Sequence, residues 1–257
     1  MLKHFRLPLA ALVLAAADIS GGAQAAPPSL AGKTIVLVHG AFADGSSWSK
    51  VIPLLEARGL HVVAVQNPLS SLDDDVAAAK RAISQQSGPV ILVGHSWGGA
   101  VITQAGTDEK VKALVYVAAF APDAGQSVND MIKPFPPAPW VSALQVDTGG
   151  FLTLPQKTVL SEFAQDLPAG EAKVVSAVQG PWAARCMDDK LTSAAWTSKP
   201  SWYVVAGEDH MIDPRFQTAM ATKIKAHIVP VDASHVVMLS QPDKVAAVII
   251  EAAESVQ

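Results

Sequence analysis

The feature that most constrains this chain is a repeated alternation of short apolar runs with helical patterns. Strand-length runs cover residues 34–38 (TIVLV), 61–65, 90–93, 113–118, 202–206 and 226–231. Between them lie stretches of helical spacing. Residues 48–57 place Val51, Leu54 and Leu55 on one face, with Pro53 in the tolerant first turn. Ser71-Leu72-Asp73-Asp74 resembles a capping box that opens an Ala-rich helix to about residue 84. Further helices are predicted over 98–105, 214–223 and 241–253. The strands are apolar throughout rather than at alternate positions, so both faces must be covered. That pattern predicts the α/β class, a parallel sheet with helices on either side.

The rhythm breaks between residues 122 and 200. Pro134, Pro136, Pro137, Pro139, Pro155, Pro168 and Pro181 are interleaved there with short helical patterns. This segment is predicted to be a cap subdomain inserted over the C-terminal edge of the sheet. The start of the chain reads differently again. Lys3 and Arg6 precede the apolar run 7–17, and Ala23-Gln24-Ala25 supplies a small-residue cleavage site. Together these read as a secretory signal peptide over residues 1–25, followed by one α/β domain over 26–257. The run is too short to span a bilayer, which takes roughly 20 residues. An exported chain, periplasmic or secreted, without a stable membrane anchor after cleavage is the expectation.

Composition narrows the partners. Half of the residues are hydrophobic and 16% are charged, enough to build a large core. The net charge of −4 offers no basic footprint for nucleic acid. The single cysteine, Cys186, cannot close an internal disulfide, and no activating pattern surrounds it, so it reads as a small buried apolar residue. No His/Cys/Asp group has metal-ligand spacing and no Gly-rich phosphate loop is present, so neither metal nor cofactor is expected. The oligomeric state is not legible.

Gly94-His95-Ser96-Trp97-Gly98 fits G-x-S-x-G. The five-residue pattern alone is common. Its context is not, because it follows the apolar strand at 90–93 and runs straight into a helix. A strand-to-helix turn this sharp lifts the serine hydroxyl above the sheet edge, at a helix N-terminus that favours developing negative charge. Ser96 is therefore the predicted nucleophile. A hydroxyl needs a base at neutral pH. His235, in the loop after the last predicted strand, can hang over Ser96. His210 is a weaker candidate, His39 suits a structural hydrogen bond, and His95 flanks the serine and would point elsewhere. The base needs a carboxylate to set its tautomer. Asp209 turns off the strand at 202–206 and is preferred over Glu208, Asp213 and Asp232. The resulting order Ser…Asp…His is that of α/β-hydrolases. Of two amides needed for an oxyanion, one should be that of Trp97 and the other should come from the loop His39-Gly40-Ala41-Phe42.

With these residues in view, the chain resembles a bacterial member of the methylesterase and hydroxynitrile lyase branch of the α/β-hydrolases. The matching pieces are Val38-His39-Gly40-Ala41 with Trp48, Gly94-His95-Ser96-Trp97-Gly98-Gly99, Ala118 to Asp123 (AAFAPD), Glu208-Asp209 and Ser234-His235. The resemblance implies a sheet of about six strands and assigns the second oxyanion amide to Ala41. In the lyases of the branch a threonine stands at the place of Gly40 and a lysine follows the catalytic histidine, where this chain has Val236. Both absences favour ester hydrolysis. The expected activity is a serine carboxylesterase for small to medium apolar esters, working through an acyl-serine. Lyase, perhydrolase or lactonase chemistry on the same triad and a ligand-sensing receptor are the alternatives. Phe42, Trp140 and Trp182 are the expected substrate contacts.

Overall fold

A computed structural model describes Met1 and residues 30–256. The predicted signal peptide at 1–25 therefore lies almost wholly outside the described residues. Among the described residues, nine strands and nine α-helices follow one another from Thr34, with 3-10 and π turns between them. The main sheet holds β1 (Thr34–Val38), β2 (His61–Val65), β3 (Val90–His95), β4 (Val111–Val117), β8 (Ser201–Ala206) and β9 (His227–Val231). Its order is β2-β1-β3-β4-β8-β9, and every neighbouring pair is parallel. The expected six-stranded α/β-hydrolase sheet is what forms. Its inner strands β1, β3 and β8 are buried along their full length, while the edge strands β2 and β9 are half exposed.

The helices are α1 (Ile52–Glu56), α2 (Leu72–Ser84), α3 (Gly98–Ala105), α4 (Val128–Ile132), α5 (Gln156–Thr158), α6 (Ala169–Ala177), α7 (Pro214–Lys223), α8 (Val237–Ser240) and α9 (Pro242–Ser255). The step from β1 to β2 goes one way across the sheet, and β2 to β3 steps back over β1. With right-handed crossovers, α1 then lies on one face and α2, α3 and α7 on the other. The closing helix α9 packs beside α1 and against β3, β4 and β8. The reversal leaves a crevice beyond the C-terminal ends of β1 and β3, where ligands bind in open α/β sheets.

Two local expectations need correction. The helix predicted over 48–57 is a 3-10 turn, Gly45–Trp48, followed by the short α1. The Asp44 carboxylate accepts from the Ser46 amide at 2.8 Å and opens the earlier turn. Pro53 sits in the first turn of α1, where its missing N–H costs nothing. Between β4 and β8, the short helical patterns are joined by an antiparallel sheet of β5 (Gln145–Val146), β6 (Phe151–Thr153) and β7 (Trp182–Ala183). Strands of two or three residues carry no readable period, so the pattern gave no sign of them.

Candidate active site

The turn after β3 is tight. Ser96 has φ +53°, in the left-handed region that costs a non-glycine residue about 1–3 kcal/mol. Backbone bonds hold it there. Its amide donates to the Val117 carbonyl at 3.2 Å, and its carbonyl accepts from Gly99 at 3.0 Å and Phe120 at 3.1 Å. Position 98 must be glycine, because a Cβ there would lie 2.5 Å from the Val38 carbonyl oxygen. α3 can thus start directly against the end of β1.

The structure brings Ser96, His235 and Asp209 together. Ser96 Oγ lies 2.8 Å from His235 Nε2, and His235 Nδ1 lies 2.7 Å from Asp209 Oδ2. All three residues are buried, with Ser96 8% exposed. Asp209 is well anchored. Its Oδ1 accepts from the amides of Met211 at 2.7 Å and Ile212 at 3.1 Å, and its Oδ2 also accepts from Gln217 Nε2 at 2.7 Å. The rival acids go elsewhere. Asp213 caps α7 and pairs with Arg215 at 2.6 Å, while Glu208 and Asp232 face solvent. His210 pairs with Glu162 at 3.1 Å on the exposed side.

Two flanking residues have jobs that spacing did not reveal. His95 points away from the serine, as expected, but its Nε2 donates to the His235 carbonyl at 2.9 Å. Its burial holds the imidazole well below its ordinary pKa, aided by the neighbouring His235, so it packs as a neutral ring. Gln217 is fully buried on α7 and bridges three groups. Besides Asp209, it donates to the Ile212 carbonyl at 2.8 Å and accepts from the Ala206 amide at 3.0 Å. The available signal was a glutamine at the i, i+3, i+4 spacing of Met220 and Ala221, on the apolar face of α7.

The loop after β1 is fixed by His39. Its Nδ1 donates to the Gly40 carbonyl at 2.8 Å, and its Nε2 accepts from the Asn67 amide at 2.9 Å. Burial lowers its pKa, consistent with that neutral tautomer. A Cβ at Gly40 would stand 2.7 Å from Ser96 Cβ, so the loop passes directly over the serine. Among the described residues, neither the Ala41 nor the Trp97 amide donates to another protein group. The Trp97 indole is pinned by Asp75, whose Oδ2 accepts its Nε1–H at 2.7 Å and whose Oδ1 accepts from the Leu69 amide at 2.7 Å. Burial pushes the Asp75 carboxyl up to about 6 against those two bonds.

A cavity of about 1330 Å³ opens over Ser96 and His235 and is roofed by the segment between β4 and β8. Phe42, Trp140 and Trp182 all line it, where the sequence expected substrate contacts. Phe42 meets Trp182 edge-on at 5.7 Å and Trp140 at 6.4 Å, and Trp140 Nε1 donates to the Met211 carbonyl at 3.1 Å. The aromatic wall is tied to the acid loop. Cys186 is buried without lining the cavity, and burial with the nearby Asp75 and Asp189 pushes its thiol up to about 12. Among the described residues, no cluster of His, Cys, Asp or Glu has the makings of a metal site. None of the described helices is long and apolar enough to cross a membrane.

The profile of the α/β hydrolase family matches residues 35–248. The chain belongs to the α/β hydrolase family. Its relatives place it in the methylesterase and hydroxynitrile lyase branch. Salicylic acid-binding protein 2 of Nicotiana tabacum is 28% identical over 86% of this chain and 97% of its own. The α-hydroxynitrile lyase of Arabidopsis thaliana is 27% identical over 81% of this chain and 92% of its own. Several Arabidopsis proteins named methylesterases also match. Among solved structures, a pyrethroid hydrolase from Sphingobium faniae JZ-2 superposes with TM-score 0.76 at 24% identity, covering 87% of this chain and 98% of its own. At that identity the likeness speaks to the hydrolase fold alone.

Proposed function

We propose that this α/β hydrolase is a serine carboxylesterase acting on apolar esters through an acyl-serine intermediate. The observation that carries the reading is the unbroken hydrogen-bonded line from Ser96 Oγ through the His235 ring to Asp209 beneath a largely apolar cavity. In the proposed reaction His235 Nε2 takes the hydroxyl proton as Ser96 Oγ attacks the ester carbonyl. Asp209 holds the Nδ1–H tautomer and steadies the imidazolium. The Ala41 and Trp97 amides receive the oxyanion. His235 then protonates the departing alcohol oxygen as the carbonyl–oxygen bond breaks. A water molecule, deprotonated by the same ring, releases the acid and restores Ser96.

The cavity supports bulkier substrates than the small to medium esters expected from the sequence. Its volume exceeds the roughly 300–1,000 Å³ of common small-molecule sites. The reading predicts that Ser96→Ala loses both ester turnover and labelling by a fluorophosphonate probe. Undiminished labelling of that variant would sink the assignment. Cyanide release from mandelonitrile would move the chemistry toward the lyases, against Gly40 and Val236. We also infer export from the pattern of residues 1–25. Intact mass of protein from the culture medium or periplasm should correspond to a chain starting at Ala26, and a full-length mass would refute it.

A further inference from the structure

A second cleft of about 310 Å³ lies behind the catalytic histidine, between the 3-10 turn Gly45–Trp48, α6 and the start of α8. Val174, Val175, Val178, Leu167, Val236 and Leu239 make it apolar. Lys50 and Glu171 pair at 2.5 Å on its polar side. Cleft and active-site cavity approach each other at three places. Phe42 and His235 face the cavity, while their chain neighbours Ala43 and Val236 face the cleft. Among the described residues, Phe163 alone borders both, and there the wall is one residue thick.

Phe163 is held in that wall by an unusual piece of backbone. It ends a π-helical turn, Val159–Phe163, closed by the Ala164 amide donating to the Val159 carbonyl at 2.9 Å. π-turns are rare and are found often at functional sites. The turn leaves Phe163 1% exposed, with its ring centroid 5.1 Å from that of His235. Asp166 clamps the same segment down, its Oδ2 accepting from the Ser234 amide at 2.8 Å.

The chemistry gives this wall a side. When an ester breaks, its alcohol oxygen must take a proton from His235 Nε2, so the alcohol arm starts next to the histidine and the ring packed on it. We propose that Phe163 sets the length of the alcohol arm, and that the apolar cleft behind it is the extension of the alcohol subsite that Phe163 closes off. This rests on the carboxylesterase reading. It makes alkyl alcohol length, not acyl length, the property governed by this residue.

The test uses two ester series on the mature protein, residues 26–257. One holds the acyl group at acetate and lengthens the alkyl alcohol from ethyl to octyl, followed by acid release. The other holds the alcohol at p-nitrophenol and lengthens the acyl chain. Phe163→Ala is expected to raise the octyl-over-ethyl ratio of kcat/KM by about tenfold or more, mainly through KM. Adding Val175→Phe, which refills the cleft, should return that ratio toward the wild-type value. The acyl series should keep its profile. Phe163→Val serves in the same comparison if the alanine variant does not fold. An unmoved alcohol ratio, or an equal shift in both series, would overturn the proposal while leaving the esterase reading intact. Failure of the wild type on every ester would overturn both.

Discussion

At the scale of single residues, the placement of Asp209 depends on a neighbour that makes no contact with the site's cavity. Gln217 holds Asp209 Oδ2 with one donor and the Ile212 carbonyl with the other, while its own oxygen satisfies the Ala206 amide. It therefore fixes the carboxylate between the end of β8 and α7. Gln217→Leu removes the donor and leaves a buried backbone amide without a partner, which costs about 1–3 kcal/mol. A slack Asp209 lets the His235 ring drift, and small misplacements at a reacting centre cost about ten- to a hundredfold in rate. The expected result is a fall in kcat of that size on an ester whose KM changes little. An unaltered kcat in a folded variant would show that Gln217 serves stability alone. His95 acts similarly on the backbone of His235, through the bond from its Nε2 to the His235 carbonyl.

At the scale of elements, the closing helix is tied to the first strand by one side chain. Lys33 is buried just ahead of β1, and its Nζ donates to the carbonyls of Ala253 at 2.8 Å and Val256 at 2.6 Å. A cation at the C-terminal end of a helix satisfies orphan carbonyls and meets the negative end of the dipole. Lys33→Met keeps the stem and removes the charge, so two buried carbonyls lose their partner. Urea unfolding should report a loss of about 2–3 kcal/mol, with kcat retained because α9 makes no part of the cavity. Elements were also where the sequence was most readable. β1, β2, α2, α3 and α7 fall on or within a residue of their predicted bounds, because each strand is long enough to show as an apolar run, each helix is long enough to show its spacing, and several carry a capping or breaking residue. β5, β6 and β7 are too short for that, and the π-turn at Phe163 is a hydrogen-bonding choice that no residue pattern announces.

At the scale of the whole molecule, burial of titratable groups sets an acid limit. His39 and His95 are held below their ordinary pKa in the fold, chiefly by burial. Both are neutral in either state above the unfolded value of about 6.5. Below it the unfolded chain takes up protons that the folded chain refuses, so their contribution is lost as the pH falls. Asp75 runs the other way. Its folded pKa of about 6 lies above the unfolded carboxylate value, so the fold gains a proton first and is favoured as the pH drops toward about 4. The two histidines lose stability as the pH falls where Asp75 alone gains it, so the net direction on acidification is toward lower stability. Chemical unfolding at pH 7.5 and pH 5 should therefore find the protein less stable at the lower pH. Asp75→Asn should widen that difference, and a narrower one would contradict the sign assigned to Asp75.

By itself the sequence determined the α/β class, the six-strand sheet, the turn that carries Ser96 and the chain order of serine, acid and histidine. Those follow from local rules: apolar runs make strands, a glycine-flanked strand-to-helix turn raises a serine, and loops after strands share one edge of a parallel sheet. Only the tertiary structure decided between Asp209 and the acids beside it. That choice depends on which carboxylate reaches His235 Nδ1 at 2.7 Å. It alone also made His95 and Gln217 positioning residues, built a cavity larger than expected, and set Phe163 as the partition beside the histidine. Each of these is a meeting of segments far apart in the chain, some 140 residues apart for His95 and His235. Local periodicity carries no record of such distances, because they are settled by packing rather than by spacing.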